Sequence, residues 1–592
     1  KGVMKHEDFR IFDHKVILRT EDRVCETPNE LFESSLFREI LWRGLKKLEK
    51  KGSPLLTVFG KSHIEESDLE LFIKALQMLV KLPLRFLPSL LPETECFRRD
   101  PVKLNDLVEY LYNFWRSFDR FLICTSQKEG PDKRPYRTFN ATVETLTHLV
   151  RSVYRDIQEN ITEKHPQIYR QLPAGANIAG IAVPKDIPFP HPFYKEKLAS
   201  VPVLRQVLLN PPLIFNPPMN KRSGRFERVF ENPLKRFDLN SSEWLCYPAK
   251  VGPLLILVYF HEKFFELGFS LSNLFELATD EDLEKTPDAI YAFGVPGNVL
   301  DNLASYPTVF FDDEDNGILV AACPNRDEFG YFGYLKKMVL TLHNIVMMKR
   351  GRFPFHGAFV KIALKNGVEK TVLLIGDTAA GKSETLEALR VLSEEYLREI
   401  TIIADDMGSL EIDADGNIIG YGTEIGAFLR LDDLQKGYAF GQIDRAIIMS
   451  PSQVNARIVI PVTTYDVVIK GHPVDIVLYA NNYEDVDEDH PIIQRFRTPE
   501  EALHVFREGA AMSKGTTTST GIVHSYFANI FGPPQYRELH ESIARRFFEA
   551  FFERGIFVGE MRTRLGLEGF ETRGPEEAAK VLLAVISGQG AF

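Results

Sequence analysis

Gly376-Asp377-Thr378-Ala379-Ala380-Gly381-Lys382-Ser383, followed by Glu384, has the spacing G-x-x-x-x-G-K-[ST]. Glycines at its two ends let backbone N–H groups turn toward a phosphate chain. Lys382 would neutralise the outer phosphates, and the Ser383 hydroxyl would meet Mg²⁺. Farther along, Asp405 and Asp406 close an apolar run. Paired carboxylates at a strand end beside such a loop serve as metal ligands or bases. Upstream stand Lys336, Lys337 and His356, which taken alone read as surface charges and a core histidine. The elements that must position these groups are short. Val372 to Ile375 is a β-branched apolar run of strand length, Thr385 to Leu392 has helical spacing, and Ile400 to Ala404 reads as a second strand. Strand, glycine loop and helix in that order are the required context, because the helix N-terminus adds its positive end to the loop. The spacing predicts binding of a nucleoside triphosphate.

At 592 residues the chain can hold two or three domains, or one large core with a helical appendage. Its 44% apolar and 26% charged residues are those of a water-soluble globular protein. A net charge of −11 argues against nucleic acid as a partner held by bulk charge. The five cysteines are scattered with no C-x-x-C pair, which argues against zinc sites and a disulfide framework. Together with the polar opening KGVMKHEDFR, they suit a reducing cytoplasm. The most apolar run, Leu254 to Phe260, is far too short for a bilayer, so no membrane association is expected.

From about Glu30 to His165 the spacing is helical, with stripes at 68–80, 104–123 and 142–161. The aromatic-rich stretch 110–121 reads as packed helical core, and no chemistry is visible there. From Pro166 to Pro248, with 13 of the 35 prolines, long loops and short strands that wrap other elements are expected. The basic cluster 220–225 reads as a solvated loop or an anion-binding one. Strands are predicted at 254–260, 289–293, 308–311 and 318–322, and short strands dominate after Asp406. Thr498-Pro499 opens a capped helix, and two more helices run over 535–554 and 575–586.

Three stretches, in order, resemble the phosphoenolpyruvate carboxykinase and HPr kinase superfamily. Tyr331-Phe-Gly-Tyr-Leu-Lys336-Lys337 is similar to the Y-A-G-E-M-K-K segment of ATP-type carboxykinases, where the second lysine and a downstream histidine ligate Mn²⁺. Lys337 and His356, nineteen residues apart, fit that layout. The glycine loop, with His356-Gly357 before it and Ala404-Asp405-Asp406 after it, looks most like HPr kinase, and Asp406 stands where carboxykinases place a metal-binding aspartate. Thr498 to Gly509 and Ser525 to Tyr536 are similar to the carboxykinase L-T-P-E-Q-A-x-x-H-F-L-S-G and F-S-A-C-F-G-A-x-F segments.

The resemblance implies an α+β, or mixed α/β, fold. A carboxykinase-like P-loop domain with mixed sheets would span 330–592, a Pro-rich carboxykinase-N-domain-like region 166–329, and a helical region 1–165, which resembles neither family. It implies ATP, Mg²⁺ and Mn²⁺ as cofactors, with Lys337, His356 and Asp406 on one metal and Ser383 on the other. Lysine ligates only when neutral, which burial beside Lys336 and a cation would favour. An arginine should stabilise the transferring phosphoryl group. Arg495 is the choice and Arg497 the second. A weaker substrate set comprises Arg222, Arg225, Tyr331 and Lys336. The carboxykinase R-S-P-K-D-K loop is matched only by Arg222-Ser-Gly-Arg225, and Val454 replaces the acidic residue expected before Asn455-Ala-Arg457.

The first expectation is a carboxykinase-type lyase acting on a small acid. The alternative is a kinase for a protein serine or a small-molecule hydroxyl, with Asp405 or Asp406 as base. A third reading is a nucleotide-dependent binding protein that engages a protein partner through the N-terminal helices.

Overall fold

The computed structural model describes residues 8–21, 23–125, 134–392, 394–434, 440–513 and 521–589, with the side chains of 134–138 and 440 outside that description. It is a mixed α and β structure that divides into two compact units. One unit comprises 1–184 and 204–210, the other 185–203 and 211–592. By contacts the chain divides near 184 and 210, not at 165 and 329, and 211–329 lies in the same unit as the glycine loop. Among the described residues, no helix is long and apolar enough to cross a membrane.

The N-terminal unit is not wholly helical. Its helices Ser35–Lys50, Glu66–Leu79, Pro101–Arg116 and Arg134–Thr162 enclose a core that includes Leu45, Phe72, Leu76, Phe97 and Leu107. Beside them, the strands Lys15–Thr20, Asp119–Thr125 and Ile178–Val183 pair in parallel. The helix expected over 104–123 therefore stops at Arg116. Residues 119–125 are a strand whose centre is buried, and a short run that is apolar on both faces has no period to separate it from a helix. Arg120 marks the change. Its buried guanidinium donates to the carbonyls of Arg116 (2.8 Å), Phe118 (3.0 Å) and Gly175 (2.6 Å), and so caps the helix end.

In the second unit, one sheet has the order Trp244–Val251, Leu254–His261, Ala289–Val295, Ile318–Pro324, Val309–Asp313 and Glu227–Val229. The Pro-rich stretch contributes Tyr194, Leu198, Val229, Leu234 and Trp244 to its core, so that stretch does more than wrap other elements. The helix Phe332–Lys349 follows and is buried on nearly every side, as its continuous apolar sequence requires.

The second sheet carries the glycine loop and the paired aspartates. Its centre is the twelve-residue strand Phe353–Leu364. The first four residues of that strand pair with Met407–Ile412. The rest lies between Glu369–Ile375 and Leu397–Ala404. Glu369–Ile375 is parallel to Ile476–Asn481, and that strand to Phe557–Arg562. Ile493–Arg495 closes the edge, antiparallel to Phe557–Arg562. A smaller sheet pairs Gly426–Arg430 with Arg457–Pro461.

Candidate active site

The glycine loop joins the strand Glu369–Ile375 to the helix Lys382–Leu392. Gly381 has φ +96°, and a Cβ there would lie 2.6 Å from the Thr563 hydroxyl, so this position needs glycine. The neighbouring strands hold the loop from outside. Asn482 donates to the Ala379 carbonyl (3.0 Å) and Thr563 to the Ala380 carbonyl (2.7 Å). The peptide joining Ala380 to Gly381 thereby points its N–H away from Thr563. Asp377 accepts from the Thr378 N–H (2.7 Å), and Lys382 Nζ reaches the carbonyls of Gly376 and, at 3.2 Å, Asp377. Burial pushes the Lys382 ammonium below the ordinary lysine range, against the pull of Asp406, Asp377, Asp405 and Glu384. Ser383 is exposed in the first helical turn.

Backbone pairing sets His356 and Asp406 beside this loop. The Gly376 N–H donates to the His356 carbonyl (3.3 Å) and the Gly357 N–H to the Asp406 carbonyl (2.8 Å). A Cβ on Gly357 would meet the Leu374 carbonyl at 2.2 Å, which accounts for the glycine after the histidine.

Asp406 is the hub. Its Oδ2 accepts from Lys337 (2.8 Å) and pairs with Lys336 (3.0 Å), while Oδ1 faces His356 Nε2 at 2.9 Å. Burial alone would raise this carboxyl, but Lys336, Lys337 and His356 outweigh it and hold it well below the usual range. The two lysines differ. Lys336 is buried, but Asp406 and Glu424 raise its proton affinity, whereas Lys337 is lowered by burial and by its neighbour Lys336, with Asp406 opposing. Asp405 is raised by burial and by Asp406.

This donor set fits a divalent cation. His356 Nδ1 donates to the Ala528 carbonyl, which leaves Nε2 turned to the carboxylate. Two electron-rich atoms at that separation need a proton or a cation between them, and the Nδ1 bond is the outer contact that orients metal-ligating histidines. Lys337, the lysine with the lowered proton affinity, adds a nitrogen to the same place.

Beyond the lysines lie two arginines. The ring of Phe428 has Lys336 Nζ 6.0 Å and the Arg457 guanidinium 5.2 Å from its centre, and Phe531 has Lys337 at 4.9 Å and Arg222 at 5.1 Å. Among the described residues neither arginine has a carboxylate partner. Arg222 donates to the Gly224 carbonyl (2.9 Å), and Arg457 Nε is buried with no hydrogen bond. Tyr331 is buried beside both, its ring 5.8 Å from Phe428, and shares a hydrogen bond with Asn455. Two guanidinium groups without carboxylate partners among the described residues, both beside a buried phenol, have the donors that a small anion requires.

Of the expected site residues, the structure brings together Lys336, Lys337, His356, Asp405, Asp406 and Lys382, with Tyr331 and Arg222 alongside. It does not bring Arg495, Arg497 or Arg225. Arg495 is exposed on the edge strand and lies over Phe557, at the far end of the neighbouring strand from the glycine loop. Arg497 is exposed, and its backbone N–H donates to Glu501 (3.0 Å) at the start of the next helix. Arg225 is exposed, and its backbone carbonyl accepts from Thr308 (3.1 Å). Nearness to Thr498 in sequence does not bring Arg495 to the lysines; Arg457, in Asn-x-Arg at 455–457, lies over the Phe428 ring that Lys336 also faces.

Glu424 escaped the sequence reading, since a single acid after a predicted strand carries no pattern. It is buried, both carboxyl oxygens lack hydrogen-bond partners, and Lys336 Nζ lies 3.4 Å away. Burial, offset by Lys336, pushes its carboxyl up to about 8. A carboxyl raised in the fold contributes stability below its unfolded value, and this is lost as pH rises through about 8. Glu424→Gln should therefore flatten the decline in melting temperature between pH 4.5 and 8, by the equivalent of about 1–3 kcal/mol at the alkaline end. Parallel pH profiles for wild type and variant would contradict this.

A second cluster, Glu243, His261 and Glu262, brings one donor atom from each residue within 4.8 Å of the others. There His261 Nδ1 accepts from the Lys263 N–H (3.1 Å) and Nε2 faces Glu243 (3.3 Å), so both ring nitrogens are engaged. No protein-family model matches this chain, and a search of curated proteins finds no match.

Proposed function

We propose that the chain is a divalent-metal- and ATP-dependent phosphotransferase of the phosphoenolpyruvate carboxykinase type, with the carboxykinase-like fold its sequence motifs imply. It would convert oxaloacetate and ATP to phosphoenolpyruvate, ADP and CO₂. The C–C bond to the departing carboxylate breaks, its electron pair makes the enolate, and the enolate oxygen takes the γ-phosphoryl group. The observation that carries this reading is the pair of unpaired arginines, Arg222 and Arg457, beside the Lys337–His356–Asp406 donor set.

In this reading Arg222 and Arg457 hold the carboxylates of the acid, with Tyr331 and Asn455 between them. Lys336, kept charged by Asp406, faces the developing negative charge. Lys382 leaves its loop carbonyls to neutralise the phosphate chain, which the loop N–H groups and the helix N-terminus orient. Lys337, His356 and Asp406 would hold Mn²⁺ and Ser383 a nucleotide-borne Mg²⁺. When bound, these ions supply Lewis-acid stabilisation of charge on phosphate and acceptor oxygens.

With Mn²⁺, ADP, phosphoenolpyruvate and bicarbonate, the protein should form oxaloacetate, seen as NADH oxidation through malate dehydrogenase. No signal, with ATP consumed on adding alcohols or protein serine substrates, would sink the lyase reading. One feature favours that kinase alternative: Asp405, held above the usual carboxylate range by burial, is suited to take a hydroxyl proton.

A further inference from the structure

Tyr334 is placed where the similar carboxykinase segment has glutamate, three residues before Lys337 on the helix Phe332–Lys349. Its hydroxyl is fully engaged. It donates to the Ser223 carbonyl (2.9 Å), and its oxygen accepts from the Ser223 N–H (2.9 Å) and from Tyr306 (2.9 Å). The Ser223 hydroxyl closes the set by donating to Tyr306 (3.2 Å). A phenol with one proton given and two accepted has no capacity left for a substrate. Gly224 belongs to the same arrangement. Its φ is +73°, and a Cβ would lie 2.6 Å from the Tyr306 ring. At the other end of the loop, Asn455 donates to the Asn220 carbonyl (2.6 Å), and Asn220 donates to the Val454 carbonyl (2.8 Å).

Arg222 therefore lies between two clamps, one at 220 and one at 223. Tyr334 and Lys337 share a helix, and Arg222 and Lys337 share the ring of Phe531. We propose that Tyr334 is a positioning residue that, through Ser223, fixes the Arg222 arm at a set distance from Lys337, so that the acid is presented to the donor set in one orientation. This rests on Arg222 holding the acid, as in the function proposed above. The alternative for such a hydroxyl cluster is plain loop stability, which would affect every substrate and every step alike.

The test uses the full chain with Tyr334→Phe, and Tyr306→Phe as a milder second variant that keeps the Tyr334–Ser223 bonds. Hydrogen exchange of the 220–226 backbone should accelerate about tenfold in Tyr334→Phe and less in Tyr306→Phe. ATP affinity should be unchanged. KM for oxaloacetate should rise about tenfold while kcat stays within about threefold, the pattern of weakened acid binding without lost chemistry. Unchanged exchange, or unchanged KM, in both variants overturns the inference. A fall in kcat at constant KM also overturns it, since the hydroxyl would then act in the reaction. Accelerated exchange in a protein whose wild type does not turn over oxaloacetate keeps the anchor and refutes the carboxykinase reading.

Discussion

Lys382→Ala should reduce ATP-dependent phosphoryl transfer by at least about 10³-fold, with the fold retained. The reasoning starts from where the ammonium sits. It bonds to carbonyls of its own loop, Gly376 and Asp377, so no other element depends on it for a hydrogen bond. The loop is fixed instead by Asn482 and Thr563, neither of which the substitution touches. Removing a buried ammonium also relieves the burial that lowers its proton affinity, though Asp405, Asp406, Asp377 and Glu384 lose a neighbouring positive charge. These effects oppose one another, and the melting temperature should reflect a change of no more than about 1 kcal/mol. Arginine should not rescue, because a planar fork does not occupy the place of a point charge. Wild-type-like turnover by Lys382→Ala, measured with the coupled assay, would refute the assignment of this loop.

Asp406→Asn should be damaging in a second way. One carboxylate faces two lysines and a histidine, so the amide would leave two ammonium groups to share one uncharged acceptor oxygen. Breaking a buried pair by removing one partner costs about 3–5 kcal/mol, and activity should fall below detection together with stability. The pH dependence follows from the direction of the shift. A carboxyl depressed by its partners contributes stability above its unfolded value of 3.8, and that contribution is lost as pH falls through the lower folded value. Wild type and variant should differ fully at neutral pH and converge only in strong acid. An Asp406→Asn protein as stable as wild type at pH 7 in urea denaturation would contradict the hub role.

These two residues were legible in the sequence for different reasons. Lys382 stands in a motif whose local context, strand then loop then helix, is contained in about twenty residues. Asp406 was visible as part of an acidic pair at a strand end, but its three partners lie 70, 69 and 50 residues upstream, and they became plausible only through resemblance to known motifs. Glu424, Phe428 and Phe531 left no such trace, since a buried acid and two phenylalanines are compatible with any core. Arg495 shows the opposite error. It lies near a recognisable helix start in sequence, yet its strand closes the edge of the sheet, with two strands between it and the one bearing the glycine loop. In the N-terminal unit, periodicity identified the helices well. It missed the strand 119–125, because a parallel strand buried on both faces has an apolar run and no alternation.

The long strand Phe353–Leu364 has a consequence for the order in which the chemistry comes into being. Its hairpin with Glu369–Ile375 and the hairpin of Met407–Ile412 with Ile418–Gly422 each join neighbouring segments and close short loops. His356 belongs to the first and Asp406 borders the second, so the two meet only when the long strand also pairs with Leu397–Ala404 and with Met407–Leu410. Closing that larger loop is the slower event. A cation that needs both side chains would gain them only after that closure. In the metal-dependent reading proposed above, its site would form only with that pairing, and its affinity would report that the sheet is complete.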